Sequence, residues 1–353
     1  MTRLTSGSAE EYLASQCFDT GPTGFVGASV QLLPVALPPV ALLPVAPAPG
    51  PVFERLRHGH LSGDFGGVLE VSVPPSPGLD VAVRRLAADL AMARTLLARR
   101  GFAPAERAVD THRPRVDFRG STAAVRVSVD AGAGPADLRR RWQVAQAVGP
   151  VLAAAFANSP LTAGRPTGWR SVRQGLRLAL DTEPPTGDPR SSWAGYVLDQ
   201  PLAGAAVSFR RALRDGRPLH LDDLRRHLDR LPAPIRARGQ LELSMIDAQP
   251  GEGWRVAVAV TTALIDDDRA SDEARAATAG LPPDAWTRAA RDALTDPLLA
   301  EAARRCFVAA YAALARQGAD RHLRDEVATF IQRYVSRGRT PADDLLDALR
   351  TPT

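Results

Sequence analysis

Four short segments alternate strictly between apolar and polar side chains, and this period of two is the strongest constraint on the fold. In the segment from Val26 to Leu33, Val26, Ala28, Val30 and Leu32 face one way and Gly27, Ser29 and Gln31 the other. Leu69, Val71 and Val73 repeat the pattern against Glu70 and Ser72. Val125, Val127 and Val129 repeat it against Arg126, Ser128 and Asp130 within 123–130, as do Leu241, Leu243 and Met245 against Gln240, Glu242 and Ser244. Successive strand side chains point to opposite faces, so each segment predicts a strand with one buried and one polar face. Such strands suit an antiparallel sheet that packs its apolar face on helices. The polar face is then either a surface for a charged ligand or ordinary solvated sheet.

Helices separate these strands. The spacing of Val83, Leu86, Leu90 and Leu97 predicts one over 79–100, which Gly101 would stop. A second is expected over 136–157, kinked or broken at Pro150, and a short one over 8–18. Residues 286–338 read as mostly helical. Strands and helices without regular alternation predict an α+β fold rather than a doubly wound sheet. The 353 residues read as one domain, 1–353, with a Pro-rich loop at 34–51.

That loop adjoins the one run, Val30 to Val52, apolar enough to raise a membrane question. Its seven prolines each lack the N–H that a helix in lipid requires, so no membrane span is expected. The first residues are polar, no signal peptide is expected, and the cytoplasm is the expected compartment. All 44 basic residues are arginine, spread along the chain, and aromatics are 5%. A nucleic-acid surface concentrates both, so nucleic acid is not an expected partner, and the net charge of +5 suits anionic small molecules. Cys17 and Cys306 are too few and too distant for a disulfide framework or a zinc site. His58 and His60 lack further ligands for a metal. The Walker loop, G-x-S-x-G and H-E-x-x-H motifs are absent.

Two segments are unusual for scaffolding. One is Asn158-Ser159-Pro160 followed by Gly164 to Gln174, dense in Gly, Pro and Arg; exposed N–H groups and guanidinium forks suit phosphate or carboxylate. The other runs from Arg236 to Pro250 and places Glu242 and Asp247 beside two arginines. Each also reads plainly, as a connector and as a strand with a charged outer face. Together, however, Val148 to Pro160 with Gly164 to Ser171, and Gly239 to Pro250 with Gly253-Trp254, resemble the two signatures of the glutamate–cysteine ligase family, of the actinobacterial ergothioneine-pathway type. Cys17-Phe18 with Thr20-Gly21-Pro22, Ser121-Thr122-Ala123 and Arg333 to Arg339 extend the resemblance along nearly the whole chain.

The resemblance implies a glutamine-synthetase-like fold, in which a curved antiparallel sheet forms a funnel with helices outside. It also implies ATP-dependent joining of glutamate to cysteine, with magnesium. Carboxylates on one sheet face would hold the metal, and arginines would hold substrate carboxylates and phosphate. By match to the motifs, Arg170, Arg173 and Glu242 are the expected catalytic residues. Asn158, Ser159, Arg170 and Asp247 are expected at the cofactor, and Asp64 and Glu70 at a residual metal site. Departures fall on the polar faces. Ser29 and Gln31 stand where the family carries glutamates, Arg126 and Ser128 where it carries Gln and then Asn or Cys, and Ser244 where it carries arginine. A family stretch is also missing between Arg115 and Gly120. Each lost carboxylate forfeits roughly 4 kcal/mol of attraction for a cation at about 4 Å and an effective dielectric of ~20. Three readings follow: an eroded but working ligase; a non-catalytic pseudoenzyme, binding or regulating beside an intact paralogue; or a ligase for another carboxylate and amine, its acceptor pocket reshaped by Arg126.

Overall fold

The computed structural model describes residues 3–36, 50–64, 67–109, 118, 120–180 and 187–350. Its strands are β1 Phe25–Leu32, β2 Pro34–Ala36, β3 Pro51–Arg55, β4 His60–Asp64, β5 Leu69–Pro77, β6 Phe102–Pro104, β7 Ala124–Val129, β8 Leu161–Thr162, β9 Arg165–Pro166, β10 Ile235–Arg238 and β11 Gln240–Asp247. Seven of them form one sheet in the order β10-β11-β7-β1-β5-β4-β3, antiparallel throughout. The helices are α1 Ser6–Gln16, α2 Leu79–Arg99, α3 Pro135–Ala155, α4 Val172–Leu180, α5 Pro189–Asp199, α6 Phe209–Arg214, α7 Leu221–Arg230, α8 Gly253–Asp266, α9 Asp268–Thr278, α10 Ala285–Arg291, α11 Pro297–Arg316, α12 Arg321–Arg333 and α13 Pro341–Arg350.

The apolar residues of the four alternating strands all point into one core. Val30, Val71, Val125, Leu241 and their neighbours are buried there beneath α2 on β1 and β5, α8 on β7, and α3 on β11. Burying each such side chain contributes about 1.5–3 kcal/mol. This is the expected α+β class, an antiparallel sheet with helices packed on it. Gly101, at φ +78°, sits just past the end of α2. Left-handed backbone of this kind favours glycine.

Three details depart from the sequence reading. The prolines at both ends of the 34–51 segment are in strands: Pro34 begins β2, which pairs with β6, and Pro51 begins the edge strand β3. Residues 37–49 lie outside the described residues. The helix α3 runs through Pro150 rather than breaking there. An internal proline costs about 3 kcal/mol, and α3 recovers this by packing on α9, α10, α11 and β11. Third, the polar face of the sheet is partly covered: Ser29, Arg236 and Ser244 are buried, while Gln31, Glu70 and Arg126 are half-buried. Cys17 and Cys306 are free and buried, and burial pushes the Cys306 thiol up to about 12. Among the described residues no helix is long and apolar enough to cross a membrane.

Candidate functional site

The polar face is built from β5, β1, β7 and β11, and antiparallel register brings distant residues together on it. Gln31 is opposite Glu70, and Ser29 is opposite Arg126. Glu70 therefore receives several donors at once. Ser29 Oγ donates to its Oε1 at 2.8 Å, Gln31 Nε2 to its Oε2 at 3.1 Å, and Arg126 Nη1 reaches both oxygens, at 3.1 and 2.8 Å. The free carbonyl oxygen of the Gln31 amide is used as well, accepting the Ala124 N–H at 3.1 Å.

Farther along the face, Glu242 is paired with Arg236 and lies opposite Ser128. Burial pushes the Glu242 carboxyl upward, but Arg236 and then Arg126 more than offset it and hold the group below its ordinary value of 4.5. The strand β11 next carries a bulge. Its register shifts between Leu243 and Ile246, so Ile246 opposes Val125 and Asp247 opposes Ala124. An extra residue in one strand re-aims the side chains after it. Without the shift, Asp247 would point into the apolar core.

Asp247 anchors the second half of the site. Fully buried, its carboxylate accepts the Asn158 N–H at 2.9 Å, the Ser159 hydroxyl at 2.7 Å and the Ser171 hydroxyl at 3.1 Å. Arg173 Nη1 lies 3.6 Å away, and Arg173 Nη2 donates to the Ser244 carbonyl at 2.6 Å. Burial raises the Asp247 carboxyl, and it draws the Arg173 guanidinium down to about 10, so Arg173 is charged at neutral pH.

Each of the three carboxylates that β5 and β11 place on this face thus carries its own arginine. The three arginines, Arg126, Arg173 and Arg236, line one cavity of about 210 Å³ together with Gln31 and Ser244. Arg126 Nε and Arg173 Nε are buried with no hydrogen-bond acceptor. The cavity is smaller than the ~300–1,000 Å³ of drug-sized sites, which suits an amino-acid-sized anion. Arg170 is not brought into it. Its backbone joins the Ser159 and Arg291 segments, and its side chain forms an ion pair with Asp343 on α13, 2.9 Å apart at an angle too poor for a hydrogen bond. Asp64 stands at the end of β4, two residues beyond Ser62, the partner of Glu70. Arg236 is a cavity residue that sequence reasoning did not single out for a role; its signal was its place three residues before the turn at Gly239, on a strand the alternation did not reveal.

The residues present do not fit a divalent cation between β1, β5 and β7. Magnesium takes oxygen ligands, largely carboxylates. Here the single carboxylate is already held by a guanidinium, an amide and a hydroxyl. Among the described residues no group of three or more His, Cys, Asp or Glu could hold a metal.

The same fold occurs among solved structures. The bifunctional glutathione synthetase from Pasteurella multocida superposes with a TM-score of 0.56 at 14% identity over 98% of this chain, which spans about half (52%) of that protein. The family profile of glutamate-cysteine ligase family 2 matches residues 113–352. Glutamate–cysteine ligase EgtA of Mycolicibacterium smegmatis is 36% identical, covering 80% of this chain and 76% of its own length. The protein of that name from Mycobacterium tuberculosis is 30% identical over 97% and 90%, respectively. Chloroplastic glutamate–cysteine ligase of Arabidopsis thaliana is 27% identical over 42% of this chain. The chain belongs to glutamate–cysteine ligase family 2.

Proposed function

We propose that this chain is a glutamate–cysteine ligase-type protein that retains a site for a small carboxylate substrate such as glutamate. In this reading the ATP- and magnesium-dependent activation of that carboxylate is strongly reduced. The contact of Arg126 Nη1 with both oxygens of Glu70 carries the reading. A guanidinium stands on the carboxylate that the family resemblance assigns to the metal, and its positive charge repels a second cation from that place.

The arginines of the cavity account for the anion-binding half. Arg173 is fixed by Asp247 and the Ser244 carbonyl, and Arg236 by Glu242, so both present their charge with little freedom left to lose. A planar guanidinium matches a carboxylate in two parallel hydrogen bonds. Asn158, Ser159 and Ser171 position Asp247, and through it Arg173; they act on the substrate indirectly.

The test is release of ADP coupled to an optical readout, with glutamate, cysteine, ATP and magnesium. Turnover below about 0.1 per second is expected, against ~1–1,000 per second for typical enzymes. Calorimetric titration with glutamate should show binding that survives removal of magnesium by EDTA. Turnover at ordinary enzyme rates, or glutamate binding only with magnesium, overturns the proposal.

A further inference from the structure

A second and larger cavity, of about 660 Å³, lies between the end of β11, α12 and the start of α13. It shares no lining residue with the arginine-lined cavity, and its electrostatic character is the reverse. Five carboxylates line it: Glu252, which pairs with Arg94 and Arg255, Asp325 with Arg321, Asp344 with Arg333 and Arg339, and those of Glu106 and Glu326. The arginine on its wall is already engaged, Arg333 pairing with Asp344 at 2.7 Å, and His322 Nε2 lies 3.3 Å from Glu326 Oε1.

Two amides at this cavity carry acceptors with no donor. Asn158, 1% exposed, gives both amide hydrogens to backbone carbonyls, Glu106 at 3.1 Å and Ala248 at 2.7 Å. Gln249 likewise donates to the Phe156 carbonyl at 2.8 Å and the Asp247 carbonyl at 2.9 Å. Rotating either amide would set oxygen against oxygen, so the orientations are fixed. That leaves Asn158 Oδ1 and Gln249 Oε1 buried without a donor, and one oxygen of Glu326 is left the same way. Buried acceptors are normally satisfied, and an exception calls for a partner. Beside them, Phe330 and Tyr334, with ring centroids 4.9 Å apart, and Val256 supply an apolar and aromatic wall.

We propose that this cavity binds a small organic cation, an ammonium or guanidinium group carried on an apolar body. The charged end would donate to Glu326, with Asn158 and Gln249 as the neutral acceptors beside it. The body would rest on Phe330 and Tyr334, where aromatic faces attract cations and bury hydrocarbon alike. The volume falls within the range of small-molecule sites.

The test is a titration of the full chain, followed by NMR, with 2-phenylethylammonium, with neutral 2-phenylethanol and with anionic 3-phenylpropanoate. The ammonium should bind saturably and about tenfold or more tighter than the alcohol, as expected when a charged donor replaces a neutral one. The carboxylate should not bind at this cavity. Glu326→Gln keeps the shape and should lose about tenfold for the ammonium alone. Thr329→Trp, at an exposed helix position on the wall, should block all three compounds; an unchanged melting temperature shows that each variant is folded. Equal affinity for ammonium and alcohol, unchanged binding to Glu326→Gln, or no saturable binding of the ammonium overturns the proposal.

Discussion

Replacing Arg126 by Gln tests the central electrostatic claim directly. The substitution removes the guanidinium that reaches both Glu70 oxygens at 3.1 and 2.8 Å and leaves Ser29 and Gln31 as the remaining donors. At about 3 Å and an effective dielectric of ~20, the gross attraction is roughly 5 kcal/mol. Desolvation cancels much of that, since Arg126 and Glu70 keep only 26% and 24% of their side-chain surface in solvent. A net loss of about 1.5–3 kcal/mol remains, the range for a charge-assisted hydrogen bond. For 353 residues it should lower the melting temperature by about 2–4 °C. The triple variant Ser29→Glu, Gln31→Glu, Arg126→Gln then places two further carboxylates beside Glu70. It should melt lower still in sodium chloride and recover in magnesium chloride of equal ionic strength, by ~2.7 kcal/mol at about 100 times the dissociation constant. The parent protein should show no such recovery. Differential scanning calorimetry reads both effects. Parent protein stabilised by magnesium as strongly as the triple variant, or Arg126→Gln melting with the parent, would refute the reasoning.

Further expectations concern the rest of the site and its frame. Asp247→Asn leaves the Arg173 charge buried without its partner and should cost about 3–5 kcal/mol in urea unfolding. Glu242 has a folded-state pKa below its ordinary value of 4.5, so it binds fewer protons folded than unfolded. Its contribution is present above 4.5 and is lost as the pH falls below that through the lower folded-state value, and Glu242→Gln should flatten the acid limb of a stability–pH curve. A curve of unchanged slope would contradict this assignment. Gly59→Ala would place a Cβ 1.8 Å from the Ser72 carbonyl oxygen, backbone that cannot step aside, and should cost about 2 kcal/mol or more by chemical denaturation.

The frame was legible in the sequence because it rests on local periodicity. The alternation of Val26 to Leu32, Leu69 to Val73, Val125 to Val129 and Leu241 to Leu243 is a property of neighbours in the chain, and the core face follows from it. The edge strands β3 and β10, and β4 beside β3, were not legible, because they lack a continuous apolar face. Pro150 shows a local signal overruled by packing around α3. The composition of the polar face was also readable: Ser29, Gln31 and Arg126 could be seen to depart from the family pattern.

What those departures build was decided only by the folded chain. Arg126 and Glu70 are 56 residues apart, and nothing local sets their register; the pairing of β1 with both β5 and β7 does. The side of the sheet on which Asp247 emerges depends on a bulge that alternation cannot foresee, because one extra residue reverses every face after it. Apolar burial is a sum over residues that each carry their preference in their own chemistry. An ion pair exists only at a distance, and that distance is a property of the tertiary structure.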